Sequence, residues 1–76
     1  MDVKVYSTPT CPYCKMTKEY LTSKGISYQD IDVSSDREAV QEMVRISGQM
    51  GVPVIVINGE PIVGFDKARI DSLTGA

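Results

Sequence analysis

The stretch that decides the fold is Thr10-Cys11-Pro12-Tyr13-Cys14-Lys15, which holds both cysteines of the 76-residue chain. It lies between a β-branched run, residues 3–7, and a segment with helical spacing. Proline suits the first position of a helix, because its fixed φ is already helical and its missing N–H would have no partner there. Cys11 is therefore predicted to be the helix N-cap. There, unpaired backbone N–H groups and the positive end of the helix dipole favour thiolate over thiol.

Cys14 follows one turn later on the same side of the helix, so the two sulfurs can close a disulfide. Three interpretations are open: a redox pair, a stabilising disulfide, or half of a metal site. A disulfide across so short a loop constrains little of the unfolded chain. A zinc site draws four ligands from Cys and His, and this chain has no third Cys and no His. A C-x-x-C motif in a βαβ context is typical of redox chemistry, so we favour the redox pair and expect no metal.

Composition and charge narrow the class of protein. The length fits one domain, residues 1–76, and a hydrophobic fraction of 42% is ordinary for a folded protein. The net charge of −2 includes no long run of either sign, so we expect neither nucleic acid nor a membrane as partner. No apolar stretch matches a membrane span or a signal peptide. We expect a cytoplasmic monomer, and in the cytoplasm cysteine pairs are more often catalytic than structural.

Periodicity predicts the element order β-α-β-α-β-β-α. The predicted strands are 3–7, 26–33, 53–57 and 61–63, and Asn58-Gly59 between the last two is a strong hairpin signal. The predicted helices run from 12 to 24, from a capping box at 35–38 to Gly48, and onward from Asp66. We expect Met16, Tyr20 and Leu21 on one buried helix face, and Ala68 and Leu73 inward in the last helix. The predicted class is α/β: a four-stranded mixed sheet with helices on both faces.

Three separated segments carry a family resemblance: Tyr-Ser-Thr-Pro-Thr-Cys-Pro-Tyr-Cys-Lys at 6–15, Ser-Gly-Gln-Met-Gly-Val-Pro-Val at 47–54, and Ile-Val-Gly-Phe-Asp at 62–66. With this element order, the chain resembles the dithiol glutaredoxins of the thioredoxin superfamily over essentially its whole length. The resemblance implies a thioredoxin-like fold and a glutathione-dependent thiol–disulfide oxidoreductase. Its implied substrates are protein disulfides and glutathionylated proteins, with Cys11 as nucleophile, Cys14 as resolving thiol and glutathione as co-substrate.

The resemblance also implies a glutathione site. Sequence alone favours a trans Val52–Pro53 bond, but the family has a cis bond here that turns the Val52 backbone toward a bound peptide. Gly64, Phe65 and Asp66 would hold the γ-glutamyl end of glutathione at a helix start, although a turn plus an N-cap explains the same residues. Tyr13 would form one side of the cleft beside the sulfur; the alternative interpretation is an aromatic side chain exposed on the surface.

The chain departs from the family pattern at several positions of that site: Thr8, Gln49, Met50, Gly51, Val63 and Lys67. The family often has Lys where this chain has Thr8, and basic or Thr residues where it has Gln49, Met50 and Gly51. It often has Gly in place of Val63 and an acidic residue in place of Lys67. We therefore expect weak glutathione binding, with Lys67 attracting the γ-glutamyl carboxylate.

Two alternative functions stay open. One is a related redoxin, reduced by thioredoxin reductase and feeding ribonucleotide reductase, although such proteins usually carry a Trp that this chain lacks. The other is a glutathione-bridged [2Fe–2S] carrier, which Pro12 and Cys14 disfavour.

Overall fold

The computed structural model describes residues 2–49 and 51–75, and within them the predicted element order is confirmed. The strands are β1 (Val3–Ser7), β2 (Gln29–Asp32), β3 (Val54–Ile57) and β4 (Glu60–Val63), and the helices are α1 (Pro12–Ser23), α2 (Arg37–Ser47) and α3 (Lys67–Thr74). None of these helices combines the length and apolarity needed to span a bilayer.

The four strands form one mixed sheet in the order β2-β1-β3-β4. Strand β1 is central: it pairs in parallel with β2, with Val5 opposite Asp30, and antiparallel with β3, with Val5 opposite Ile55. The β3–β4 hairpin turns at Asn58 and Gly59, whose φ values of 51° and 88° are those of a two-residue type I′ turn. The predicted mixed sheet and its hairpin are confirmed.

Alternation along the central strands divides the core between the two faces of the sheet. One face carries Val3, Val5, Ile55 and Ile57 under Leu21 of α1 and Ile70 of α3. The other carries Tyr6, Val54 and Val56 under Ala39 and Met43 of α2. Helices therefore cover both faces, as predicted, and β1 delivers its carboxyl end directly to the loop that precedes the first cysteine.

The largest differences from the predicted element boundaries are at β2 and at the start of α2, while β3 and β4 each begin one residue away from the predicted start. Strand β2 covers only Gln29–Asp32 rather than 26–33, because its ladder with β1 begins at the Lys4–Gln29 pair and ends at Ser7–Asp32. The N-cap of α2 is Asp36 rather than the Ser of the capping box, and its carboxylate accepts the Ala39 N–H at 3.2 Å. The residues after the helices agree with the prediction: Gly25 and Gly48 both adopt the left-handed backbone.

Two side chains predicted to be buried are not. Met16 is 47% exposed, and of its predicted face only Leu21 is fully buried while Tyr20 packs at the margin of the core. In α3 the predicted inward Ala68 is exposed, and Ile70 occupies the buried position, with Leu73 packed against it in part. Helical spacing identifies a buried stripe, but in α1 the stripe is rotated by about one residue from the predicted face, and in α3 it is centred on Ile70, two residues after Ala68.

Candidate functional site

Cys11 occupies the N-cap of α1, as the sequence predicts. Its backbone is extended, Pro12 takes the first helical position, and its Sγ accepts the Cys14 backbone N–H at 3.2 Å. The sulfur is half-buried, so a substrate disulfide can approach it. A backbone donor and the start of a helix both place positive partial charge at this sulfur, which suits it to a reaction as an anion.

Cys14 has a different environment one turn further along the helix. It is fully buried, and burial raises the pKa of its thiol to about 11, with a further rise from its hydrogen bond with Cys11. A backbone hydrogen bond from Thr8 and the positive charge of Lys18 act on this pKa in the opposite direction. Both cysteines are free thiols here. The pair is therefore asymmetric: one accessible sulfur at a helix start and one buried thiol that keeps its proton at neutral pH.

The Val52–Pro53 bond is cis, as the family resemblance implied. The Val52 carbonyl oxygen lies 4.0 Å from Cys11 Sγ, so the backbone before the proline borders the reactive sulfur. The Pro53 carbonyl in turn accepts the Gly64 N–H at 2.9 Å. This hydrogen bond fixes the segment before β3 to the loop that follows β4.

Most of the predicted glutathione-binding residues come together around one cavity. Tyr13, Val52, Pro53, Gly64 and Phe65 line a depression of about 270 Å³ beside the N-terminus of α1. Asp66 does not line it: as the N-cap of α3, its carboxylate accepts the Arg69 N–H at 3.2 Å. The capping interpretation of Asp66 is thus correct, and Tyr13 is both exposed and a wall of the cavity.

A second and larger groove, of about 590 Å³, lies on the β2 side of Cys11. Its walls include Cys11, Thr8, Lys18, Tyr28 and Asp30, and it shares no lining residue with the first cavity. Sequence reasoning missed Lys18 and Asp30, which form an ion pair of 3.1 Å across the groove. The available signal was the spacing of Lys18, four residues after Cys14 and thus on the same helix face.

Of the departures from the family pattern, Thr8 lines the second groove, whereas Gly51, Val63 and Lys67 lie within two residues of the lining of the first cavity. Val63 is 51% exposed at the end of β4, and the Lys67 ammonium lies 5.6 Å from the Tyr20 ring centre and 5.8 Å from that of Phe65. The Gln49 side-chain amide donates to the Gly51 carbonyl at 3.4 Å, and Met50 lies outside the described residues. Across residues 2–49 and 51–75, no group of three or more His, Cys, Asp or Glu side chains could hold a metal ion.

Comparison with known proteins agrees with this geometry. The family model described as Glutaredoxin matches residues 3–62. An uncharacterised glutaredoxin-like 8.6 kDa protein of the rubredoxin operon of Clostridium pasteurianum is 58% identical over 71 residues, covering 93% of this chain and 95% of that protein. Glutaredoxin 3 of Escherichia coli K12 is 38% identical over 65 residues, covering 86% of this chain and 78% of that protein.

Solved structures show the same fold. The glutaredoxin of Archaeoglobus fulgidus superposes with a TM-score of 0.88 at 28% identity, over 99% of this chain and 87% of that one. The glutaredoxin-like NrdH-redoxin of Escherichia coli, whose structure is described as the basis of a thioredoxin-like activity profile, superposes with a TM-score of 0.84 at 27% identity, over 96% and 95%. The thioredoxin-like fold implied by the sequence is confirmed.

Proposed function

This chain belongs to the glutaredoxin family of thiol–disulfide oxidoreductases, and we propose that it reduces protein disulfides and glutathione mixed disulfides with glutathione as reductant. The observation that carries the proposal is the asymmetry of the two thiols. Cys11 Sγ is accessible and receives a backbone N–H at the helix start, whereas Cys14 is buried and protonated at neutral pH. Only the first can begin the reaction, and only the second is placed to finish it internally.

The proposed reaction begins when the Cys11 thiolate attacks one sulfur of the substrate disulfide. A Cys11–substrate disulfide forms, and the other substrate sulfur leaves as a thiolate. Two completions are then open. Cys14 can lose its proton and attack Cys11 Sγ, which releases the second substrate thiol and leaves an internal disulfide for glutathione to reduce. Alternatively, when Cys11 is glutathionylated, a glutathione thiolate attacks directly and leaves as glutathione disulfide, without Cys14.

The first cavity supports glutathione as the ligand. The Val52 carbonyl, 4.0 Å from Cys11 Sγ, is placed to pair with the backbone of a bound peptide, as an added strand would. Gly64 and Phe65 line the cavity just before the start of α3, where backbone N–H groups would attract the carboxylate of the γ-glutamyl end. Lys67, at the first turn of that helix, adds positive charge for the same carboxylate.

A second candidate keeps the thiol chemistry and changes the reductant to thioredoxin reductase, with ribonucleotide reductase as a substrate. It is favoured by the likeness to NrdH-redoxin, over nearly the full length of both chains. Lys67 and Val63 also favour it, because they remove an acidic partner and a glycine that the family pattern offers to glutathione.

The two candidates are separated by following NADPH oxidation with one disulfide substrate and two reducing systems. We expect faster turnover with glutathione plus glutathione reductase than with thioredoxin reductase. The Cys11→Ser variant should be inactive with either system, so that any residual rate measures the background. Faster turnover with thioredoxin reductase would overturn glutathione as the reductant and leave the assignment of the two thiols intact.

A further inference from the structure

Three side chains from three elements form one hydrogen-bonded cluster at the edge of the larger groove. Ser7, only 2% exposed at the end of β1, donates its hydroxyl to Asp30 of β2 at 2.9 Å. The Lys18 ammonium of α1 donates to the other oxygen of Asp30 at 3.1 Å and lies 3.4 Å from the Ser7 hydroxyl. We call these residues the Lys18 cluster. Two partners hold the ammonium, and the lysine stem is largely covered, with 25% of its side chain exposed.

The Lys18 cluster faces Cys14. Lys18 follows Cys14 by four residues on α1, so the two side chains occupy neighbouring positions on one helix face. From the sheet side, Ser7 directly precedes Thr8, whose backbone lowers the Cys14 pKa. Lys18 and Asp30 also line the groove that Cys11 lines, which gives water access to this region. A cation that lines the groove is therefore held on the same helix face as a thiol that has no exposed surface of its own.

Stability alone gives a weak reason for this arrangement. Asp30 is 48% exposed, and ion pairs at such exposure contribute little to folding. The effect on Cys14 is larger in principle, because a fixed positive charge favours the thiolate that burial disfavours. Among the charges that act on the Cys14 pKa, that of Lys18 is the one that lowers it.

We propose that Lys18 promotes the resolving step alone, by stabilising the thiolate that Cys14 forms as it attacks Cys11, and that Asp30 and Ser7 are positioning residues for the Lys18 ammonium. This inference rests on the proposed roles of the two thiols but not on the identity of the reductant. In the step, the Cys14 proton passes to groove water and the Cys14–Cys11 disulfide forms. The bond between Cys11 and the substrate sulfur breaks, and the departing thiolate keeps the electron pair and takes up a proton.

The test uses the reduced protein and the small aromatic disulfide of Ellman's reagent, whose released thiolate is coloured. Attack by Cys11 gives a first phase of colour, and attack by Cys14 on the mixed disulfide gives a second. We expect Lys18→Met to slow the second phase by about tenfold, the change that corresponds to one unit in thiol pKa, and to leave the first unchanged. Lys18→Arg should retain most of the rate, and Asp30→Asn should slow the second phase by less than Lys18→Met.

Two controls separate this effect from a general loss of structure. Lys24→Met removes one positive charge from the exposed end of the same helix and should alter neither phase. In a Cys14→Ser background, the second phase is absent and Lys18→Met should leave the first phase as it was. Equal slowing of both phases by Lys18→Met, or no slowing of the second, would overturn the proposal. This assay contains neither glutathione nor a reductase. A protein that does not use glutathione would therefore still show both phases, so failure of the proposed function can be told apart from failure of this inference.

Discussion

The pH dependence of the resolving step provides a direct measure of the buried thiol. Burial raises the pKa of Cys14 to about 11 from the ordinary value of 9.0. At neutral pH the fraction of Cys14 present as thiolate is then roughly a hundredfold lower than for a free cysteine. Burial, the largest cause, persists when Cys11 carries a substrate, whereas the hydrogen bond between the two thiols does not.

We therefore expect the second phase of the reaction with Ellman's reagent to rise by roughly tenfold for each pH unit between about pH 7 and pH 9. It should continue to rise above the ordinary value of 9.0, because the thiol is still mostly protonated there. Neither the Cys11 sulfur, which is bonded to the reagent in the mixed disulfide, nor the Thr8 backbone titrates in this step, so the rise in rate follows the Cys14 thiol.

The measurement is a stopped-flow pH jump, with the mixed disulfide formed at low pH and resolved at each test pH. The Cys14→Ser variant provides the baseline, because it has no second phase. A plateau in the second-phase rate at or below about pH 9 would show that Cys14 ionises like a free cysteine, and the argument from burial would then be wrong.

Three further predictions concern the other residues of the site and the core. In the NADPH-coupled assay, Cys14→Ser should keep the removal of glutathione from a glutathionylated substrate and lose the reduction of a protein disulfide, whereas Cys11→Ser should lose both; equal residual rates in the two variants would contradict their roles. Lys67→Met should raise the KM for glutathione by roughly two- to fivefold, because it removes the positive charge that attracts the γ-glutamyl carboxylate at an exposed site, while Lys24→Met should not. Leu21→Ala should lower the free energy of unfolding by about 3 kcal/mol in urea denaturation, because this fully buried side chain fills the space between α1 and the sheet; a loss below about 1 kcal/mol would contradict that packing.

Local chemistry made much of the site predictable from sequence. Pro12 fixes the helix start, so the N-cap position of Cys11 and its bond from the Cys14 N–H follow from neighbouring residues. Asn58-Gly59 sets the hairpin in the same way. The cis bond at Val52–Pro53 was predicted only through the family resemblance, since sequence alone favours trans.

The remaining features depend on contacts between distant parts of the chain. Helical spacing could not show that Met16 would face solvent, because that depends on how α1 is rotated against the sheet. The Lys18 cluster was missed for the same reason: Lys18 and Asp30 meet only because β2 pairs in parallel with β1. Charged side chains on a helix and an edge strand are ordinarily solvated, so the spacing of Lys18 four residues after Cys14 was too weak a signal to identify the ion pair with Asp30.

The strand order determines which parts of this small protein unfold locally and which only when the whole molecule unfolds. Cys11 follows β1, which is hydrogen-bonded on both sides, whereas β4 is an edge strand and α3 has one fully buried residue. Amide hydrogens of β1 should exchange only when the whole molecule unfolds, while those of β4 and α3 exchange through smaller local openings. The loop between β4 and α3, which would bind a peptide, can thus open locally and accept partners of different shape. The Cys11 sulfur that reacts with them stays attached to β1, the part of the fold that unfolds last.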